Sequence, residues 1–406
     1  GIEGIVGEPP INDAAFPYKA IIVAGGGPFA NNFIWDDTQI LANRAYSALR
    51  FQGFSKQQVK YLTSGSILID LDNNGVSDDA EAATLNNLQA AITEWAVDGK
   101  DVVIYMIDHG GPERFQLNET EILNAADMQS WVDQLANKTS GKVTLIIEAC
   151  KSGSFIPAVS NIDRYVISSS KADQVTVISN KGINSFSYFF WNEISNGANL
   201  QQAFEQGKRA MSSQLVKGVP QSAQLDSNGD KQFTAADYAE LGEFCLGQCM
   251  SFAAKAPEII NVSPSVTLQG EMALNLQMQV QTLDDILNAW VTIVRPDYQH
   301  FDSNEPVSDL PRIALSCTSS GLCTGVYDRF DVTGDYAISF YAQDTEYQLA
   351  LPFTTTITQA RSDTAVYDVT FGVLTLNDVQ AAGLHYRVEL LKQGDFKFIP
   401  WDVQPL

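Results

Sequence analysis

Along the first half of the chain, short apolar runs alternate with stretches whose apolar positions recur every three or four residues. Lys19–Ala24, Val102–Ile107 and residues 143–147 are apolar almost throughout, the pattern of strands buried on both faces. Shorter strands are predicted at residues 59–62, 165–168 and 175–178. Between them, residues 37–52 place Ile40, Leu41, Ala45, Ala48 and Leu49 on one helical face. Further helices are predicted over 82–96, stopping near Gly99, and over 125–137, 185–195 and 200–216. About six strands with intervening helices predict a doubly wound α/β domain with a mostly parallel sheet.

The pattern changes after Asp226. Residues 226–250 read as an acidic loop and a short helix, and Ala256-Pro257 reads as a linker. From Ile259 onward, short strands of alternating polarity follow one another, among them 274–280, 290–294 and 336–342. They predict an all-β sandwich of immunoglobulin-like architecture. Further strands at 367–374, 385–391 and 396–399 extend the sandwich or form a small β unit. The predicted partition is an amino-terminal extension (1–17), an α/β domain (18–225), an acidic loop with a short helix (226–255), the sandwich (256–363) and the last strands (364–406).

Composition narrows the function. Of 406 residues, 45% are hydrophobic, enough for real cores. The formal net charge of -23, from 48 acidic and 25 basic residues, repels phosphate backbones and argues against a nucleic-acid partner. No run is apolar and long enough for a membrane span. The stretch 1–10 reads as an exposed start, compatible with removal of a leader.

Five cysteines sharpen this picture. Cys245 and Cys249 are spaced to close one small disulfide loop, and Cys317 and Cys323 another, which leaves Cys150 over. Two close pairs and one odd thiol suit an exported protein, secreted, periplasmic or at the cell surface, with one working cysteine. The competing expectation is five reduced cysteines in a cytosolic chain. A zinc-type cluster is not expected, because His109, His300 and His385 lie far from both pairs.

Ligands in open α/β sheets gather beyond the carboxyl ends of the strands. The strand Val102–Ile107 runs into Asp108-His109-Gly110-Gly111, and the strand ending at Ile147 runs into Glu148-Ala149-Cys150-Lys151-Ser152-Gly153-Ser154. If the two strands are neighbours, a thiol nucleophile and an imidazole share one crevice. The N–H groups of Gly110 and Cys150 would then serve a developing oxyanion. Taken singly, each residue reads as well as a strand-end histidine or a buried, inert thiol. The order discriminates further: His109 precedes Cys150 by 41 residues, a caspase-style order and spacing, whereas papain-like enzymes place cysteine first.

Asp108-His109-Gly110 and Glu148-Ala149-Cys150-Lys151-Ser152-Gly153-Ser154-Phe155 resemble the two signature blocks of the legumain family of cysteine peptidases, and Val23-Ala24-Gly25 resembles that family's opening. The resemblance spans roughly residues 18–220. It implies a caspase-like fold, a Cys150/His109 dyad, an oxyanion hole from Gly110 and Cys150, protein or peptide substrates, and a thioester acyl-enzyme that also permits transpeptidation. The chain departs from the family at two places. Gly26-Gly27 stand near the position of a histidine-orienting asparagine, and Trp35-Asp36-Asp37 stand where an Arg-His pair helps bind the substrate. With Glu148 nearby, Asp36 and Asp37 suggest an acidic specificity pocket favouring a basic residue before the scissile bond. Ser168, Ser169 and Ser170 resemble the segment lining that pocket.

Two acidic loops match the spacing of calcium ligands. In the first, Asp70, Asp72, Asn74, the Val76 carbonyl, Asp78 and Glu81 fall at positions one, three, five, seven, nine and twelve, Gly75 permits the turn, and a helix is expected to follow directly. In the second, Asp226, Asn228, Asp230, Gln232 and Asp237 occupy the corresponding places, with Lys231 in place of the glycine. Structural calcium is the cofactor expected. The functional reading is a calcium-stabilised cysteine endopeptidase whose sandwich serves adhesion, docking or substrate presentation. The alternative is a catalytically silent homologue that binds a surface or protein partner through the sandwich.

Overall fold

The computed structural model describes residues 17–213, 215–216, 219–251, 255–299, 305–361, 367–370, 373–376, 386–390 and 396–400. The start at 1–10, with His300 and His385, lies outside the described residues. Two compact units emerge. The first comprises residues 1–256 together with 300–310 and 344–351, and the second comprises 257–299, 311–343 and 352–406.

In the first unit the chain runs β1 (Lys19–Ala24), α1 (Trp35–Phe51), β2 (Val59–Thr63), β3 (Leu68–Ile69), β4 (Asp78–Ala82), α2 (Leu85–Ala90), β5 (Val102–Ile107), β6 (Gly110–Gly111), β7 (Arg114–Gln116), β8 (Ile122–Asn124) and α3 (Ala125–Ala136). It continues with β9 (Val143–Glu148), α4 (Ile156–Val159), β10 (Arg164–Ser168), α5 (Phe186–Ser195), α6 (Leu200–Ser212), β11 (Leu215–Val216), β12 (Val219–Pro220) and β13 (Gln224–Asp226). The main sheet has eight strands in the order β13-β10-β9-β5-β1-β2-β4-β3. Strands β10, β9, β5, β1, β2 and β4 are parallel; β13 and β3 add antiparallel edges.

Every residue of β5 and of β9 is buried. One face of the sheet meets α3, α4 and α2 in a core that includes Ile104, Met106, Leu145, Ile147, Met128 and Val132. Burying each such side chain stabilises the fold by roughly 1.5–3 kcal/mol. The chain steps from β1 to β2 on one side and later to β5 on the other. The switch in strand order therefore falls between β1 and β5, the place at whose carboxyl ends open α/β sheets bind their ligands.

Several expectations are corrected. Residues 175–178 form no strand of this sheet; Val177 makes a single parallel bridge to Val307. The helix expected over 82–96 is shorter. β4 reaches Ala82, Thr84 caps α2 by accepting from the Asn87 N–H, and a π turn at Ala91–Trp95 and a 3-10 turn at Ala96–Asp98 follow. The first acidic loop thus connects the strands of a hairpin, β3 and β4, rather than leading into a helix. The short helix expected in 226–250 is a pair of 3-10 turns, Ala235–Tyr238 and Leu241–Glu243.

The second unit contains β14 (Glu258–Val262), β15 (Val266–Leu268), β16 (Leu274–Gln281), β17 (Ile286–Val294), β18 (Arg312–Ala314), β19 (Ser316–Cys317), β20 (Leu322–Tyr327), β21 (Gly334–Asp344) and β22 (Phe353–Gln359). They form a four-stranded sheet, β14-β16-β20-β19, and a five-stranded sheet, β15-β22-β21-β17-β18. Alternation is clear in β16, where Leu276, Met278 and Val280 are buried and Asn275, Gln277 and Gln281 are not. Cys317 and Cys323 face each other across β19 and β20 and form a disulfide. Cys245 and Cys249 form the other. Two further hairpins follow, Tyr367–Thr370 with Val373–Leu376 and Tyr386–Leu390 with Phe396–Pro400.

Candidate active site

β5 and β9 are adjacent, and their register pairs Ile107 with Glu148. Two residues beyond that pair stand His109 on one side and Cys150 on the other. The two strand tips meet at Gly110. A Cβ placed there would lie 2.5 Å from the Cys150 carbonyl oxygen and 2.8 Å from the Ala149 Cβ, so only glycine allows the approach. Cys150 is fully buried, and His109 is 8% exposed. Directly after Cys150 the chain makes a sharp turn, with Lys151 in the left-handed region (φ 58) and its N–H bonded to the Gln174 carbonyl at 2.7 Å.

His109 is held at both ring nitrogens. Nδ1 lies 2.6 Å from Asp108 Oδ1, and Nε2 lies 2.6 Å from Glu305 Oε2. Burial alone would lower the imidazole pKa, but hydrogen bonds and charge from Asp108 and Glu305 outweigh it and push the value up to about 9. Asp108 is in turn fastened by Thr38 Oγ1 at 2.8 Å and by Asn32 Nδ2 at 3.3 Å. Asn32 also donates to the Gly27 carbonyl at 2.9 Å. Gly26 (φ +70) leaves room for this network, since a Cβ there would lie 2.1 Å from Asp108 Oδ1.

The amide that looked missing at Gly26-Gly27 is therefore supplied by Asn32, and it touches Asp108. Asn32, Thr38, Asp108 and Glu305 were not singled out from sequence as site residues. Asp108 carried a signal, its adjacency to His109; Glu305 carried none.

Of the expected pocket residues, Glu148 and the three serines come together. Glu148 is buried; Oε1 accepts from Thr176 Oγ1 at 3.1 Å and Oε2 from the Ser187 N–H at 2.6 Å. Burial pushes its pKa up to about 7 despite these bonds. Ser168, Ser169 and Ser170 are also buried. Ser170 Oγ donates to the Ala149 carbonyl at 3.1 Å, and Ser152 Oγ lies 3.4 Å from Ser169 Oγ and 3.3 Å from Ser170 Oγ. Asp36 and Asp37 stand in the first turn of α1. Asp36 is exposed, while Asp37 is half-buried beside the Gly182 backbone, and burial raises its pKa to about 6.

Both acidic loops gather carboxylates. Oxygens of Asp70, Asp72 and Asp78 lie within 4.8 Å of one another, as do those of Asp226, Asp230 and Asp237. In the first loop, Asp70 accepts from the Asn74 and Gly75 N–H groups, and Asn74 Oδ1 from Val76 N–H at 2.8 Å. The Lys56 ammonium reaches both Asp72 and Asp78 at 2.6 Å, and Glu81 lies on β4 paired with Lys60. A cation in this loop would have to displace Lys56 and do without Glu81 as placed. In the second loop, Asp226 and Asp237 are buried. Asp237 accepts from the Ser227 N–H at 2.9 Å and the Thr234 N–H at 2.7 Å. Asn228 Oδ1 accepts from Asp230 N–H, and Asp230 Oδ1 from Gln232 N–H. Burial, with Asp237 and Asp230 close by, raises the Asp226 pKa. Two buried carboxylates and the exposed Asp230 offer oxygens of the kind a hard divalent cation takes.

Among the described residues, no helix is long and apolar enough to cross a membrane. No curated protein matches the chain. Among solved structures, a fibronectin(III)-like module of Clostridium thermocellum CbhA matches at 16% identity over 26% of this chain and 99% of that one, with a TM-score of 0.18. A superoxide reductase from Ignicoccus hospitalis matches at 9% identity over 26% and 82%, with a TM-score of 0.19. Murine CRIg matches at 9% identity over 26% and 98%, with a TM-score of 0.17. Residues 33–214, which include both strand tips, match the Peptidase C13 family. Residues 33–214 of this chain belong to that family, the legumain-like cysteine peptidases.

Proposed function

We propose that the chain is a cysteine endopeptidase in which Cys150 is the nucleophile and His109 its proton-transfer partner. The observation that carries this reading is the register of β5 against β9, with Gly110 against the Cys150 carbonyl. The Cys150 thiol gives its proton to His109 as its sulfur attacks the carbonyl carbon of a peptide bond, and the oxyanion is met by the N–H groups of Gly110 and Cys150. The C–N bond breaks as His109 passes a proton to the departing amine. Water then attacks the thioester and releases the acid; an amine in its place gives transpeptidation. Asp108, steadied by Asn32 and Thr38, fixes the ring.

Around this centre, the buried Glu148, Ser168, Ser169 and Ser170 would back the specificity pocket from within, and an acidic wall contributed by Asp36 and Asp37 would favour a basic residue before the cut bond. Calcium in the loops at 70–81 and 226–237 would stiffen them without taking part in the chemistry. The two short-loop disulfides support an exported protein. The β-rich part from 256 to 363, read as an immunoglobulin-like sandwich, would dock a surface or protein partner.

The test is cleavage of a fluorogenic peptide library by the wild-type chain, Cys150→Ala and His109→Ala. The proposal expects cleavage that both substitutions abolish. Cleavage that survives either one contradicts it, and a preference for Asn or Asp before the cut bond contradicts the acidic pocket.

A further inference from the structure

An imidazole that shuttles protons needs one ring nitrogen with a lone pair within reach of the reacting groups. In His109, Asp108 takes Nδ1, which leaves Nε2 for that exchange, and Nε2 is taken by Glu305. A ring donating from both nitrogens to carboxylates is an imidazolium with no acceptor left. A departing amine or attacking water would have to displace the carboxylate to meet Nε2.

Glu305 is 196 residues from His109 in sequence. It belongs to the stretch 300–310, which groups with the first unit although the strands on either side of it, β17 and β18, belong to the second. The described part of that stretch is fastened in place. Val307 is fully buried, donates its N–H to the Thr176 carbonyl at 2.9 Å, and accepts from the Ile178 N–H at 3.0 Å. Pro306 and Leu310 are buried on either side. The receiving stretch touches the catalytic loop, because Thr176 Oγ1 bonds Glu148, two residues before Cys150. Apolar anchoring thus sits at Val307, and the charged contact sits at Glu305. The Glu305 side chain is 43% exposed, so its hold on the ring is screened and can be displaced.

We infer that residues 305–310 form a built-in plug of the active site, with Glu305 occupying His109 and Val307 anchoring the segment, so that the folded chain works below its full rate until the segment is displaced. The inference rests on the Cys150–His109 reading, and its test separates the two.

The test measures the rate at which a peptidyl acyloxymethyl ketone modifies Cys150, followed by intact mass, in the wild type, Glu305→Ala, Glu305→Gln, Val307→Ser and His109→Ala. The plug predicts that Glu305→Ala and Val307→Ser accelerate labelling about tenfold or more, the scale of one hydrogen bond to a charged group. Glu305→Gln accelerates it less, and His109→Ala abolishes it. Unchanged rates in Glu305→Ala and Val307→Ser, with His109→Ala still silent, overturn the plug and leave the dyad standing. If His109→Ala labels as fast as the wild type, or if Cys150 reacts with iodoacetamide only after denaturation in every variant, the dyad fails and the plug with it. Glu305 is partly exposed, so the result from Glu305→Ala stands even if Val307→Ser folds poorly.

Discussion

Asp108 and His109 are consecutive residues, yet Oδ1 of the first lies 2.6 Å from Nδ1 of the second. Inside a strand, neighbouring side chains point to opposite faces. The two converge here because β5 ends at Ile107 and the backbone turns immediately beyond it. Asp108 thereby becomes a positioning residue for the imidazole. Replacing Asp108 with Asn should lower kcat about 10²–10⁴-fold, the range for losing an oriented acid–base group. KM should change little, and the His109 pKa measured by NMR should fall. An equal effect on KM, or an unmoved pKa, would point to a purely structural role.

The raised His109 pKa makes stability pH-dependent with a definite sign. The unfolded value is near 6.5 and the folded value about 9, so the native state binds the extra proton between them. This stabilisation is present in full below about pH 6.5 and is lost as pH rises through about 9. Glu148 acts in the same direction over a lower window. Its folded value of about 7 lies above 4.5, so stability falls as pH rises from about 4.5 to 7. Thermal melts should therefore show Tm falling from pH 7 to 9.5 in the wild type and falling less in Glu305→Ala. Glu148→Gln should flatten the slope below pH 7.

Calcium should act mainly through the second loop, where two of the clustered carboxylates are buried. A hundredfold excess over Kd should raise Tm by about 5–10 °C, and a chelator should reverse the rise. Asp237→Asn should remove most of the response. Lys56→Ala should enlarge the share of the first loop, because it vacates the position between Asp72 and Asp78.

Gly110 provides a steric test. Alanine there meets the Cys150 carbonyl and the Ala149 side chain, both part of the strand-tip framework. Forcing in the methyl should cost about 1–3 kcal/mol of stability. Activity should fall further than that cost explains, because the two tips are pushed apart. Chemical denaturation and kcat/KM measured on the same preparation give both numbers.

How much of this was legible in the sequence follows from where each signal lies. Val102–Ile107 and residues 143–147 are strands buried on both faces, and such runs report themselves by continuous apolarity; the residues just beyond them, His109 and Cys150, could be located from that alone. Asn32 carries no such signal, because the turn after β1 spends three glycines and several more residues before offering its amide, so counting from the strand misplaces it. Residues 175–178 read as a sheet strand because an isolated bridge buries the same apolar side chains. Glu81 matches the spacing of a calcium ligand, but pairing of β4 with β2 sets its side chain beside Lys60. The contact between Glu305 and His109 is non-local, and no periodicity in either segment encodes it.

The central claim is a thioester on Cys150. The direct measurement is an acid quench of the wild-type and Glu305→Ala chains during turnover of a peptide ester, followed by mass spectrometry of the tryptic peptides. The account predicts the acyl group on the peptide containing Cys150, more abundant in Glu305→Ala and absent in His109→Ala. An acyl group on another residue, or turnover with no adduct in any chain, would contradict it.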